Sequence, residues 1–335
     1  MNTVTSGAQD KRDKVSVVIP AWRAAGTIAQ AVRSVLAETV VAEVIVVLDG
    51  PDGDLRAAVP DEPRVRVLTL ALTRGAPAAR NAGLAAAKGE FVLFLDADDF
   101  VEDGLIDSLA NAARSADLAF GPYAFAFPSG HRIRVGVLKS IGQPVVVDVL
   151  KAWFSGHYVP CCAVLWRTSF VRAIGGWSED LLKNQDGELV WRACRANPRL
   201  ALATSGLGVY MQSLSPRRVS GNRTRAMYEQ QLALFARVEA DLPRAFLADI
   251  AADLGGMYYR LARTAYYDGF GDIGLSAERA AWRLGVGGHG GTRGHRVAAA
   301  ALGLRRKEWL CAKLHRARRT LGLMPPSRDL VPVER

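Results

Sequence analysis

The chain has 335 residues, half of them hydrophobic and 23% charged, with a formal net charge of +10. This is ordinary globular composition, which excludes a disordered, collagen-like or coiled-coil chain as the main architecture. The longest apolar run, Val297–Leu304, has eight residues, far short of the roughly 18–20 that a membrane-spanning helix needs.

Residues 1–13 are a polar tail without the apolar stretch of a signal peptide, so a cytoplasmic location is expected. Val15–Pro20 is a β-branched run closed by proline and predicts a buried strand. Gly26-Thr27 opens a helix with Ile28, Val32, Val35 and Leu36 on one face. Further strands are predicted over Glu43–Asp49, Val65–Leu70 and Glu90–Asp96, with helices from Ala76 and from about Asp103 to Ser115. Strand–helix alternation with strands apolar throughout predicts a mainly parallel sheet covered on both faces. From residue 117 the rhythm changes. DLAFGPYAFAF, the turn PSG and HRIRVGV read as a hairpin; short strands over Cys161–Arg167 and Leu200–Thr204 flank a helix at Gly187–Ala196. After about residue 222 the pattern is helical, broken by a glycine-rich stretch at Gly285–Gly291. Four cysteines without a CxxC pair read as small buried hydrophobes in a reducing compartment.

Asp49 and Asp96 each end a buried strand. In an open parallel sheet ligands bind beyond the carboxyl ends of the strands, so both are site candidates, although Asp49 also suits a simple turn. Asp96, Asp98 and Asp99 crowd three carboxylates into four residues. A divalent cation, Mg²⁺ or Mn²⁺, with a diphosphate completing its shell would relieve their repulsion; a solvated helix cap is the alternative. His157, Trp177 and Trp191, with Trp153 and Tyr158, are candidates for a ligand-stacking pocket or for core packing.

IPAW at 19–22, IVVLDG at 45–50, RGAPAARNAG at 74–83 and GEFVLFLDADD at 89–99 follow in that order. With WRTSFVRAIGGWSEDLLKNQDGELVWRAC at 166–194, they resemble glycosyltransferase family 2. The resemblance implies an α/β GT-A fold, Rossmann-like, with a catalytic domain over 14–220. Within it, 14–116 would bind the nucleotide sugar and 117–220 the acceptor. A helical extension over 221–284 and a glycine-rich linker with a basic amphipathic tail over 285–335 complete the expected organisation. It also implies inverting transfer from a nucleotide-diphosphate sugar, typically of UDP, to a glycan or lipid-linked acceptor in surface polysaccharide or glycoconjugate synthesis.

By the same resemblance, Pro20 and Trp22 belong to the nucleotide site and Asp49 takes the base. Arg74 lies against base or diphosphate, and Arg80 and Asn81 hold the loop or the phosphates. Asp98 contacts the metal, with Asp96 beside ribose or sugar. Asp186 is the general base, preceded by Gln185 where the family usually has Glu, which bears on acceptor contacts.

A dinucleotide-binding oxidoreductase would carry GxGxxG after the first strand, and a P-loop enzyme GxxxxGK[ST]; neither is present. An inactive sugar-binding or membrane-tethered scaffold of the same fold is the rival. Charge is uneven: residues 200–335 hold 21 Lys and Arg against 11 Asp and Glu, whereas residues 1–199 are balanced. No nucleic-acid-binding motif accompanies this excess, so nucleic acid is not an expected partner. Near the C-terminus, Leu310, Leu314, Ala317 and Leu321 form an apolar stripe bordered by Arg306, Lys307 and Lys313. This predicts a helix that lies on an anionic membrane surface or packs onto the catalytic domain.

Overall fold

The computed structural model describes residues 14–127, 129–135, 144–212, 223–286 and 292–320. The polar tail, Pro128 of the predicted turn, most of the glycine-rich stretch and Leu321 of the stripe lie outside the described residues. The chain divides into two compact units, residues 1–213 and 214–335.

The first unit is built on a seven-stranded sheet. Its parallel half contains β1 (Val15–Ala21), β2 (Val41–Leu48), β3 (Val65–Thr69) and β4 (Phe91–Phe94). Every residue of β1 and β4 is buried, as runs apolar on both faces require. Helix α1 (Ile28–Leu36) buries Ile28, Ala31, Val32 and Val35 on one face. The turn after β2 tightens into α2 (Gly53–Ala58), whose N-cap Asp52 accepts from the Leu55 N–H at 3.0 Å. Helix α3 (Ala76–Ala86) carries Pro77 in its first turn, where the missing N–H costs nothing.

A second sheet begins directly after the acidic loop with β5 (Phe100–Glu102), followed by α4 (Leu105–Ala113). The segment predicted as one hairpin arm splits: β6 (Leu118–Phe120) joins the large sheet and β7 (Tyr123–Ala126) the small one. Gly121-Pro122 makes the break. Proline has no N–H to continue a ladder, while the Gly121 N–H is taken by the Ala163 carbonyl at 2.8 Å. The hairpin itself is β7 with β8 (Arg132–Val135). Then come α5 (Val146–Ser155), β9 (Val164–Arg167), α6 (Thr168–Ala173), α7 (Gln185–Arg195), β10 (Leu200–Leu202) and β11 (Leu207–Met211). The large sheet runs β10-β6-β9-β4-β1-β2-β3 and is parallel except that β9 opposes both neighbours. The small sheet runs β5-β11-β7-β8 over a core of Phe100, Ala124, Ala126, Leu207 and Val209.

Gly206, entering β11, has φ +81°, and a Cβ there would run into the backbone of Leu105. Backbone cannot move aside as a side chain can, so Gly206→Ala combines strain with a collision. A stability loss of about 3 kcal/mol is expected, at the upper end for single substitutions. A lowered denaturant midpoint checks it.

The second unit is helical: α8 (Arg225–Asp241), α9 (Arg244–Asp268), α10 (Gly271–Arg283), α11 (Arg293–Leu302) and α12 (Leu304–Thr320). Helix α9 packs against α8, α10 and α12. The core includes Phe235, Ile250, Leu254, Tyr258, Ala277, Ala281, Leu304 and Ala312. Helix α12 is thus part of this core and not a free tail. Lys307, expected at the solvent edge of the stripe, is buried against Glu308 at 3.0 Å and His295. Leu310 and Leu314 are exposed. No described helix is long and apolar enough to cross a membrane.

Candidate active site

The carboxyl ends of β1, β2 and β4 bring the first residues together. Pro20 is buried in β1 beside Val47, and Trp22, just past the strand, is 52% exposed with the Arg23 guanidinium 4.5 Å above its ring. Asp49 follows β2 and is buried. Its Oδ1 accepts from the Arg74 N–H at 2.7 Å and its Oδ2 from the Gly75 N–H at 2.9 Å, so it fixes the loop that opens α3. The Thr73 hydroxyl closes the same corner on the Asp49 carbonyl at 3.0 Å.

Arg80 is the hub. It projects from α3, is 4% exposed, and donates Nη2 to Asp96 Oδ1 at 2.5 Å. Its Nη1 reaches Gln185 Oε1 at 3.5 Å, and its guanidinium lies 4.3 Å from the Trp177 ring centre. Burial works against its charge, but the Asp96 and Asp186 carboxylates outweigh burial and raise its pKa.

The neighbouring Asn81 clamps residue 177. Its Oδ1 accepts the Trp177 N–H at 2.8 Å, while its Nδ2 donates to the Trp177 carbonyl and to Glu179 Oε1, both at 2.9 Å. Glu179 also holds Arg74 at 2.7 Å. The motifs at 74–83 and 166–194 therefore meet as one surface. Behind them Arg192 bonds the Ile174 and Gly176 carbonyls and pairs with buried Glu188 at 2.6 Å, which fixes the Gly-Gly-Trp bend.

Asp186 sits in the first turn of α7, next to Gln185, whose Nε2 bonds the Leu181 carbonyl at 2.8 Å. Asn184 precedes the helix in left-handed backbone (φ +62°) and accepts from Trp153 Nε1 at 3.1 Å. Asp186 lines a small pocket with Phe120, Val149, Trp153, Tyr158 and Gly187. Burial, with help from Asp96 and against the pull of Arg80, pushes its pKa up to about 6. A carboxylate poised so close to neutrality in an apolar pocket is suited to take a proton.

The acidic loop separates into roles. Asp98 is exposed, Asp96 is half-buried with one oxygen on Arg80, and Asp99 is buried and accepts the Met211 N–H at 2.8 Å. Among the described residues no group of three or more His, Cys, Asp and Glu side chains could hold a metal alone. Asp96 and Asp98 offer hard oxygen donors only, the pattern in which Mg²⁺ or Mn²⁺ takes one or two carboxylates and fills its shell with phosphates and water. The residues therefore fit such an ion bound together with a diphosphate.

The aromatic acceptor candidates divide. Trp177 is 3% exposed, packs edge-on against Phe94 at 5.1 Å and underlies Arg80. Trp191 is fully buried in the core. Both take the packing alternative, because neither presents a face to a sugar. His157 is exposed, with Nδ1 3.0 Å from the Ser155 hydroxyl. Tyr158 is 40% exposed at the Asp186 pocket. Glu179 and Asn184 escaped sequence reasoning. Both lie inside the motif stretch 166–194, but their partners are distant in sequence.

Residues 16–172 match the family described as Glycosyl transferase family 2. The succinoglycan biosynthesis protein ExoO of Rhizobium meliloti (strain 1021) is 41% identical over 116 residues, 33% of this chain and 32% of that protein. The chain thus spans about a third of that relative's length. In fold, S. aureus TarS 1–349 in complex with UDP-GlcNAc matches with a TM-score of 0.61 at 16% identity, over 95% of each chain. A mannosyltransferase from Pyrobaculum calidifontis, in complex with GDP-Man and Mn²⁺, matches with a TM-score of 0.51 at 15% identity, over 92% of this chain and 86% of the other. These neighbours bear out the expected GT-A architecture with a helical C-terminal region. Over residues 16–172, just under half of the chain, the sequence is similar to glycosyltransferase family 2, and over nearly the whole length the fold agrees with that of the solved neighbours.

Proposed function

We propose that the chain is an inverting glycosyltransferase. It moves a sugar from a nucleotide-diphosphate sugar, with UDP the favoured nucleotide, to a hydroxyl of a glycan or lipid-linked acceptor in polysaccharide synthesis. The observation that carries this reading is the convergence of Asp96 and Asp186 on one buried guanidinium, Arg80, from three different elements. The named relatives are consistent with it: ExoO is a succinoglycan biosynthesis protein, and TarS was solved with UDP-GlcNAc.

In this reading Trp22 and the loop fixed by Asp49 hold the nucleotide, and Arg74 meets the base or diphosphate. Asp96 and Asp98 hold a Mg²⁺ or Mn²⁺ ion, which when bound offsets charge on the leaving diphosphate. Arg80 keeps Asp96 oriented and adds fixed positive charge in a site already paid for by folding. Asp186 accepts the proton of the attacking hydroxyl at its carboxylate, and the apolar wall of Phe120, Trp153 and Tyr158 keeps bulk water from competing. A single displacement needs no enzyme nucleophile. Gln185, whose Nε2 bonds the Leu181 carbonyl and whose Oε1 meets Arg80, puts a neutral amide beside Asp186 where a second carboxylate would add charge.

Donor consumption tests the proposal. The full chain is incubated with UDP- and GDP-sugars, Mn²⁺ and short glycans, and the anomeric configuration of any product is read by NMR. An inverted product is expected; no consumption with any donor, or retained configuration, contradicts the reading. Because Asp186 must be ionised to act, kcat/KM is expected to fall below about pH 6 as the carboxylate takes up its proton. A rate independent of pH between 5 and 8 would remove Asp186 as the base.

We also place the protein in the cytoplasm, peripheral to the membrane. Support comes from exposed Leu310 and Leu314 on α12 beside the basic residues Arg306 and Lys313. At ~1 kcal/mol per basic residue near an anionic surface, four engaged residues give about 4 kcal/mol, enough for reversible attachment. Co-sedimentation with anionic but not zwitterionic vesicles is expected, with release as salt shortens the screening length.

A further inference from the structure

The second unit holds a cavity of about 360 Å³ lined by Tyr266, Gly269, Gly271, Arg305, Arg306 and Trp309. That volume falls in the range of small-molecule sites. Arg305, Trp309 and Lys313 recur every four residues along α12 and so form one ridge of the helix. The Lys313 ammonium stands 4.5 Å from the Trp309 ring centre, and the indole is 49% exposed. Arg305 and Arg306 line the cavity together with Trp309, and Lys313 stands over the indole from the next turn of the same helix.

Nearby acids are engaged elsewhere. Glu308 turns into the core, bonded to Arg263 at 2.9 Å and Lys307 at 3.0 Å. Glu278 accepts the Tyr266 hydroxyl at 2.7 Å, and Asp272 is held by both terminal nitrogens of Arg225. Among the described residues, neither Arg305, Arg306 nor Lys313 forms an ion pair, and Arg305 and Arg306 are exposed. Gly271 leaves room for this arrangement: a Cβ there would stand 3.2 Å from an Arg305 terminal nitrogen. The guanidinium can therefore lie against the start of α10.

We propose that this cavity binds a phosphate ester. Two guanidinium forks match the oxygens of a phosphate in bidentate fashion, and the nearby ammonium adds a third charge that a single carboxylate would not need. The indole offers a flat apolar face to the organic group that the phosphate carries. The ester can come from an anionic lipid headgroup or from a soluble phosphorylated glycan; the recognition chemistry is the same. The site is independent of the nucleotide-sugar reading, and its test does not require transfer activity.

The full chain is titrated at low salt with glycerol phosphate, followed by calorimetry, and separately with phosphatidylglycerol vesicles, followed by co-sedimentation. The double variant Arg305→Gln/Arg306→Gln is compared with a charge-matched variant, Arg296→Gln/Arg318→Gln, which removes two exposed arginines outside the cavity. Unchanged circular dichroism and melting midpoints for both variants establish that folding is intact. The proposal predicts at least a tenfold loss of affinity in the cavity variant and less than twofold in the control. Saturable binding of glycerol phosphate identifies a soluble ester as sufficient. Binding of vesicles alone, lost only in the cavity variant, identifies a headgroup at a surface. Equal losses in the two variants would reduce the effect to diffuse charge, and a parent chain that binds neither probe would have no such site; either result overturns the proposal.

Discussion

Replacing Asp186 by asparagine is expected to lower transfer by roughly 10²–10⁴-fold, the weight of a positioned general base, while nucleotide-sugar binding stays within a factor of two. The expectation follows from position: Asp186 lies in the first turn of α7 against apolar side chains. The fold should not suffer. The folded-state pKa is raised from the ordinary 3.8 to about 6, so the ionised form is disfavoured by the fold. The corresponding stability is present below pH 4 and lost as pH rises through 6. Asparagine removes that dependence, so the variant should melt no lower than the parent at pH 8. Single-turnover transfer, donor affinity and melting curves together check this. A parallel loss of donor affinity would make Asp186 a binding residue.

Asp98→Ala is expected to abolish metal-dependent nucleotide binding while leaving the fold intact. Asp98 is exposed beyond the end of β4, unlike Asp99, which is buried and holds β11 through the Met211 N–H. Loss of a residue that merely supports a metal ligand costs about 10–100-fold in metal affinity, and loss of a ligand should cost at least as much. The readout is nucleotide diphosphate affinity measured with Mn²⁺ and again in EDTA. The parent should lose affinity in EDTA, and the variant should be insensitive. A variant that binds and turns over normally in EDTA would remove the metal from the account.

The parallel half of the sheet was legible because buried strands read as unbroken apolar runs, and α1 because its apolar face repeats at helical spacing. Strands β5 and β11 were not, since three to five residues carry too little periodicity and their pairing is non-local. The antiparallel direction of β9 is likewise a tertiary fact. In the site, Asp96 and Asp98 stood out as crowded carboxylates after a buried strand, whereas Asp186 was reached only through the family resemblance. The Arg74–Glu179 pair, 105 residues apart, and the seat of Arg80 on Trp177 left no local trace. Aromatic residues near a site cannot be sorted into sugar platforms and core by type alone; Trp177 and Trp191 needed the fold to place them. The basic segment forms the helix α12, but its buried residues are Leu304, Lys307, Glu308 and Ala312 and not the apolar stripe, because Glu308 pairs with both Lys307 and Arg263.

Metal-dependent binding of a nucleotide diphosphate at Asp96 and Asp98 is the step on which the proposed transfer rests. A thermal-shift screen of nucleotide diphosphates and their sugars, with and without Mn²⁺, tests it most directly, because a ligand bound only by the folded state raises the melting midpoint by mass action. The account predicts a rise with one nucleotide diphosphate and its sugar, UDP first, that requires Mn²⁺ and disappears in Asp98→Ala. No rise with any nucleotide diphosphate in the presence of Mn²⁺, or an equal rise without it, would contradict the account.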